Sequence, residues 1–144
     1  MNAVPLVEKL LMLAMAAQVV LTLGLLFWLG SERVPRVMRG EIPMADIAVD
    51  RTAYPLKARL LSNSFDNQFQ LPVLFFIGAL LALHLGAVSW VETVLALAFV
   101  ALRFVHAAIH VTTNRVEQRF FAYTLGLAVL CLFWLWLIAR ILLS

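Results

Sequence analysis

Four long apolar runs dominate the chain, and the polar segments between them differ greatly in length. The first run, about 6–30, is interrupted only by Glu8, Lys9, Gln18 and Thr22 and ends in Ser31-Glu32-Arg33. It is longer than a secretory h-region and no small-x-small cleavage site follows it, so it reads as a membrane span rather than a signal peptide. Further spans are predicted at about 59–85, 90–111 and 119–143, each long enough for a helix to cross the hydrocarbon core, which takes about 20 residues. The long polar stretch 31–58 holds Pro35, Pro43 and Pro55, which argue against one continuous helix there. Spans two and three are separated only by a tight turn around Gly86 to Ser89 and must form an antiparallel hairpin. The expected architecture is all-α, a single four-span membrane domain without repeats.

Composition supports this pattern. Of 144 residues, 64% are apolar and 13% charged, with a mean hydropathy of +0.97, against about 45–50% and about 25% in soluble domains. The excess cannot be hidden in one water-surrounded core, and too few residues remain for a sizeable extramembrane domain. The single cysteine excludes an internal disulfide framework and Cys-clustered metal sites; Cys131, in an apolar stretch, reads as a small buried hydrophobe. A net charge of +3 is too small and too dispersed to argue for nucleic acid. Trp28, Trp90, Trp134 and Trp136 lie near span ends, where aromatic belts are expected, and His84 reads as an interfacial residue.

Charge informs topology instead. Arg33, Arg36, Arg39, Arg51, Lys57 and Arg59 cluster in the first loop and the foot of span two, Arg115 and Arg119 follow span three, and the hairpin turn has no Lys or Arg. By the positive-inside rule the first and third loops are cytoplasmic and both termini lie outside, with Lys9 and Arg140 opposing. Arg33 and Arg36 read as solvated topology signals rather than as residues reaching a neighbouring site.

The informative residues are polar groups inside spans, which are costly in lipid and normally face a bundle interior, a wet cavity or a partner. Arg59, Asn63, Asp66, Asn67 and Gln70 fall within an arc of roughly 100° on a helix of ordinary period, and Pro72 should kink the helix where this stripe ends. Span three carries a second stripe, Arg103, His106, His110 and Thr113. Arg103 lies about 12 Å from the helix end at the usual rise and needs a counter-charge or a ligand; Asp66 is the nearest acid by depth. Arg59, Arg103, Arg115 and Arg119 outnumber Asp66 and Glu117 by two. A cavity so charged suits a ligand with carboxylates, which guanidinium forks bind bidentately, and an apolar second substrate could enter from the lipid. For Asn63, Gln70 and Thr113 taken singly, hydrogen-bonding glue between helices is an equal reading. His106 and His110 stand at a metal-compatible spacing, but only Asp66 is near enough in sequence to join them, so no metal is expected.

The two stripes resemble the family of membrane-associated proteins in eicosanoid and glutathione metabolism (MAPEG), which includes the microsomal glutathione transferases. Its Arg-x-x-x-Asn-x-x-Glu signature is matched by Arg59-Leu-Leu-Ser-Asn63-Ser-Phe-Asp66, followed by Asn67. Its Arg-x-x-His-x-x-x-Tyr motif is matched by Arg103-Phe-Val-His106-Ala-Ala-Ile-His110, with Arg119 nine residues on. The likeness spans nearly the whole chain. Asp66 stands for the usual Glu, His110 for the usual Tyr, and Pro72 follows the acid at a longer spacing.

The resemblance implies a homotrimer in a bacterial inner membrane, with sites between subunits facing the cytoplasm and glutathione as co-substrate. Arg59 and Arg103 would hold its carboxylates, Asp66 its ammonium and Asn63 its amide backbone; Asn67, His106 and His110 would complete the pocket. Arg119 would be catalytic, because a nearby guanidinium lowers the pKa of a thiol, with Arg115 as its substitute. The expected activity is transfer of glutathione thiolate to a lipophilic electrophile, or reduction of a lipid hydroperoxide. The alternative is a non-catalytic protein of the same fold binding a lipid headgroup or partner. A proton or ion path through His106, Arg103 and Asp66 is disfavoured, since spans one and four supply few polar residues.

Overall fold

Thirty-three consecutive residues, Leu6–Met38, form the first helix, α1, in the computed structural model, which describes residues 4–48 and 50–143. A 3₁₀ turn at Met44–Ile47 follows, then α2 (Leu56–Asp66), a second 3₁₀ turn (Asn67–Phe69), α3 (Leu71–Leu85), α4 (Trp90–Val111) and α5 (Val116–Leu143). The described residues contain no strand. With α2 and α3 taken together, four helical segments are long and apolar enough to cross a membrane. This is the all-α, four-span membrane fold expected from the hydropathy pattern.

Helix α1 runs past Gly30, where the first loop was expected to start. Glu32 and Arg36 explain part of this, forming an i,i+4 ion pair at 2.8 Å that supports the polar turn. Pro35 removes one N–H, but the Arg39 amide still donates to its carbonyl at 3.0 Å. Gly40, at φ 70°, then turns the chain in a conformation that L side chains resist. Ile42, Tyr54 and Ala58 form a small core that holds the loop against the bundle. Arg33 is part of it: its guanidinium stacks 4.3 Å from the Tyr54 ring centroid and donates to Ser62 at 3.2 Å.

The second span is interrupted rather than merely kinked. After Asp66 the helix tightens into the 3₁₀ turn, Gln70 leaves helical geometry (φ −102°, ψ −104°), and Pro72 sits in the first turn of α3, where its missing N–H is harmless. Backbone groups freed in a membrane must find other partners. The side chain of Gln68 provides one, donating to the Ser64 carbonyl at 2.7 Å and accepting from Gln18 Nε2 of α1 at 3.0 Å. Gln18, a polar residue in the middle of span one, is thereby a clamp on the break.

Below the break, Phe75, Phe99 and Phe133 pack with Leu11, Ala14, Ala79 and Ala96 into the principal core. Gly78 lets α5 approach α3 closely, since a Cβ there would lie 2.7 Å from Phe133. At the hairpin end, Ser89 and Glu92 form a capping box at the start of α4. Glu92, fully buried, also pairs with Arg140 of α5, which donates to the Gly86 carbonyl at 2.8 Å. At the other end Lys57 caps α4, donating to the Val111 carbonyl at 2.5 Å and lying 4.4 Å from the Trp28 ring centroid. His84 is exposed in the last turn of α3. Cys131 is exposed on the outer surface of α5, not buried; it faces outward with Leu132, while Leu130 and Phe133 beside it turn into the core.

Candidate functional site

The break in the second span opens a cavity of about 360 Å³ beside α4 and the start of α5. Asn63 comes from α2, Asn67 and Gln70 from the break, His106 and His110 from α4, and Arg119, Phe120 and Tyr123 from α5. Helix period explains each contribution. Asn63 and Asn67 lie one turn apart, as do His106 and His110, and Arg119 and Tyr123. These three i,i+4 pairs converge from α2 with the break after it, from α4 and from α5.

The rings and amides are arranged in order. His106 and His110 meet edge to face at 5.8 Å between centroids, and the Tyr123 ring lies 5.7 Å from His106. Asn67 Nδ2 is 3.4 Å from His110 Nδ1. Arg119 is anchored by a 2.7 Å hydrogen bond to Asn114 Oδ1; Asn114 holds the left-handed conformation (φ 48°) that ends the loop from α4, a conformation Asn tolerates. Buried polar atoms usually have partners. Here His106 Nδ1 and His110 Nε2 are both buried without one among the described residues.

Arg103 lies beneath this wall, 1% exposed, donating through Nη2 to the Asn67 carbonyl at 3.0 Å. Its Nε and Nη1 are buried without partners among the described residues. The expectation that Asp66 would neutralise it is corrected by the structure. Asp66 closes α2 on its exposed side, and its carboxylate accepts from Arg51 of the first loop at 2.5 Å. Loop one delivers a guanidinium there, and the buried arginine of α4 keeps no acid.

The remaining predicted residues stand apart from the cavity wall. Arg59 is half-buried with Nε unpartnered. Arg115 is exposed in an adjoining cleft with Glu117 and Gln118, and Thr113 lies beyond the end of α4. Tyr123 was missed by the sequence reading, although its position one turn after Arg119 could have disclosed it. Among the described residues, no group of three His, Cys, Asp or Glu side chains comes together as a metal site would require.

The lining residues carry amide, guanidinium, imidazole and phenol groups and no carboxylate or thiol. Such a wall donates hydrogen bonds to an anion and supplies no sulfur nucleophile of its own. A family model described as the MAPEG family matches residues 11–139. Neither a search of curated proteins nor one of solved structures returned a match.

Proposed function

Because the chain belongs to the MAPEG family, we propose that it is a glutathione-dependent membrane transferase that joins the thiolate of glutathione to a lipophilic electrophile. The observation that supports this most is the acid-free cavity with Arg119 on its wall and the uncompensated Arg103 beneath it. A buried guanidinium without its own acid favours an anion nearby, because unpaired charge in a low-dielectric interior is costly. The thiolate is the attacking species, and a guanidinium beside the sulfur lowers the pKa of a thiol from about 8.5. Arg119 fills that role, with four of the five N–H groups of an arginine left over after its bond to Asn114.

Asn63, Asn67 and Gln70 offer amides to the peptide part of the ligand. Arg59 and Asp66 do not line the cavity of one subunit, and a homotrimer with sites between subunits would give them a role at its edge. For Asp66 to take the ligand ammonium, Arg51 has to yield its place. That same contact favours the second reading, a non-catalytic member that binds a lipid headgroup. The exposed ring of Phe120 at the cavity rim gives an apolar electrophile a lateral approach.

Calorimetry with glutathione and turnover of a chloronitroaromatic electrophile test the proposal on the purified protein. Binding and thiol-dependent turnover are the expected results. Absence of both would overturn the transferase reading, and co-purified lipid in a protein without thiol chemistry would establish the second.

A further inference from the structure

We infer that His110 is a neutral hydrogen-bond donor to the ligand sulfur, its tautomer set by Asn67, and that it acts beside Arg119 rather than as a base. The inference rests on the glutathione reading above. A neutral imidazole has one donor and one acceptor nitrogen, and the hydrogen bond made by one nitrogen decides the role of the other. The Asn67 Nδ2 group, 3.4 Å from His110 Nδ1, can only donate. Nδ1 is therefore the acceptor, and the proton resides on Nε2. An imidazolium would set an N–H of Nδ1 against the amide N–H, so this contact also disfavours the cation.

His110 Nε2 is buried and has no partner among the described residues, while the residue itself is 3% exposed and lines the cavity with Arg119 and Tyr123. A buried N–H left unpaired is costly unless a ligand takes it. The other ionisable groups around it are Arg119 and Tyr123 from α5 and His106 and Arg103 from α4; the break contributes only amides. With Nδ1 occupied and Nε2 already protonated, His110 has no lone pair with which to accept the thiol proton. The S–H proton then leaves to water or to the other imidazole on the wall, His106, and both electrons stay on sulfur. Arg119 and the Nε2–H group then stabilise the thiolate.

The test compares His110→Phe, which keeps a ring but no donor, with His110→Tyr, which restores one. Thiolate formation is followed by ultraviolet difference absorbance as pH is varied with glutathione bound, and binding of S-methylglutathione by calorimetry reports an intact pocket. Loss of a hydrogen bond to a charged atom should raise the titration midpoint by about one to two pH units in His110→Phe, while His110→Tyr stays near the parent and S-methylglutathione binds all three. A midpoint in His110→Phe equal to the parent's would overturn the inference while leaving the transferase reading intact. A parent protein that binds neither thiol nor thioether would remove the transferase reading itself, and the donor role with it. Nitrogen NMR of His110 in the unliganded protein supplies an independent arm, decisive even if His110→Phe fails to fold. It should show Nε2 protonated and Nδ1 bare, and a proton on Nδ1 would refute the assignment.

Discussion

Two polar clusters sit in this apolar bundle, one at each end, and they are built on opposite principles. At the hairpin end Glu92, Ser89, Arg140 and the Gly86 carbonyl satisfy one another: one carboxylate oxygen takes the guanidinium, and the other takes the Ser89 amide and hydroxyl. At the end nearer loop one, Arg103 Nε and Nη1, His106 Nδ1 and His110 Nε2 are buried without partners among the described residues. Both clusters bear the desolvation cost of polarity in a low dielectric. Only the first recovers it within the chain. A saturated cluster has no capacity left for a ligand and serves to hold α3, α4 and α5 in register; an unsaturated one keeps polar groups whose desolvation cost a bound ligand would offset.

The sharpest break of this contrast is Glu92→Ala. It leaves Arg140 without its acid and should cost about 3–5 kcal/mol of stability, read by unfolding in mixed micelles, with glutathione affinity per folded molecule unchanged. Replacing Glu92 and Arg140 together by leucine should recover most of that loss; a double variant as unstable as the single would mean that the pair does more than neutralise itself. Arg119→Ala attacks the other cluster. It should lower turnover by about 100-fold, or roughly 2.7 kcal/mol of activation free energy, with stability within about 0.5 kcal/mol and glutathione affinity largely kept. Unchanged thiolate absorbance would remove Arg119 from its assigned role.

Gln68→Leu probes the ground between the two regions, where a satisfied clamp borders an unsatisfied cavity. It strands Gln18 and the Ser64 carbonyl and should destabilise by about 0.6–1.7 kcal/mol, the range of hydrogen bonds between membrane helices. Because the break carries Asn67, turnover should fall as well; a stability loss with full turnover would show that the clamp does not set the cavity. The smallest effect is expected of Arg51→Ala. Its partner Asp66 is 47% exposed along the side chain, and such pairs contribute about 0–1 kcal/mol. Glutathione affinity measured by calorimetry should rise rather than fall if Asp66 serves the ligand ammonium.

Several features of the site were legible as one-dimensional pattern. Asn63, Asn67, His106 and His110 were recognisable because helix period places them on single faces, and such faces are conspicuous where lipid penalises polarity. Tyr123 was less conspicuous, being amphipathic and at home near a span end. Gln18 and Gln68 were harder still, since their partnership crosses fifty positions and neither lies in a stripe. Asp66 misled because depth in the membrane was its only link to Arg103, whereas the rotation of the helix end towards loop one decided its contact.

By itself the sequence determined the membrane class, the four helical segments, the polar residues of the second and third spans, and the family. Those properties follow from local quantities, hydropathy and period, that neighbouring residues share along the chain. Tertiary structure decided which polar groups meet and which stay unpaired: Glu92 with Arg140, Arg51 with Asp66, Arg103 with no acid among the described residues. Pairing across helices depends on their rotation, their depth and where the second span breaks, and these are set by packing of the whole bundle rather than by any one segment.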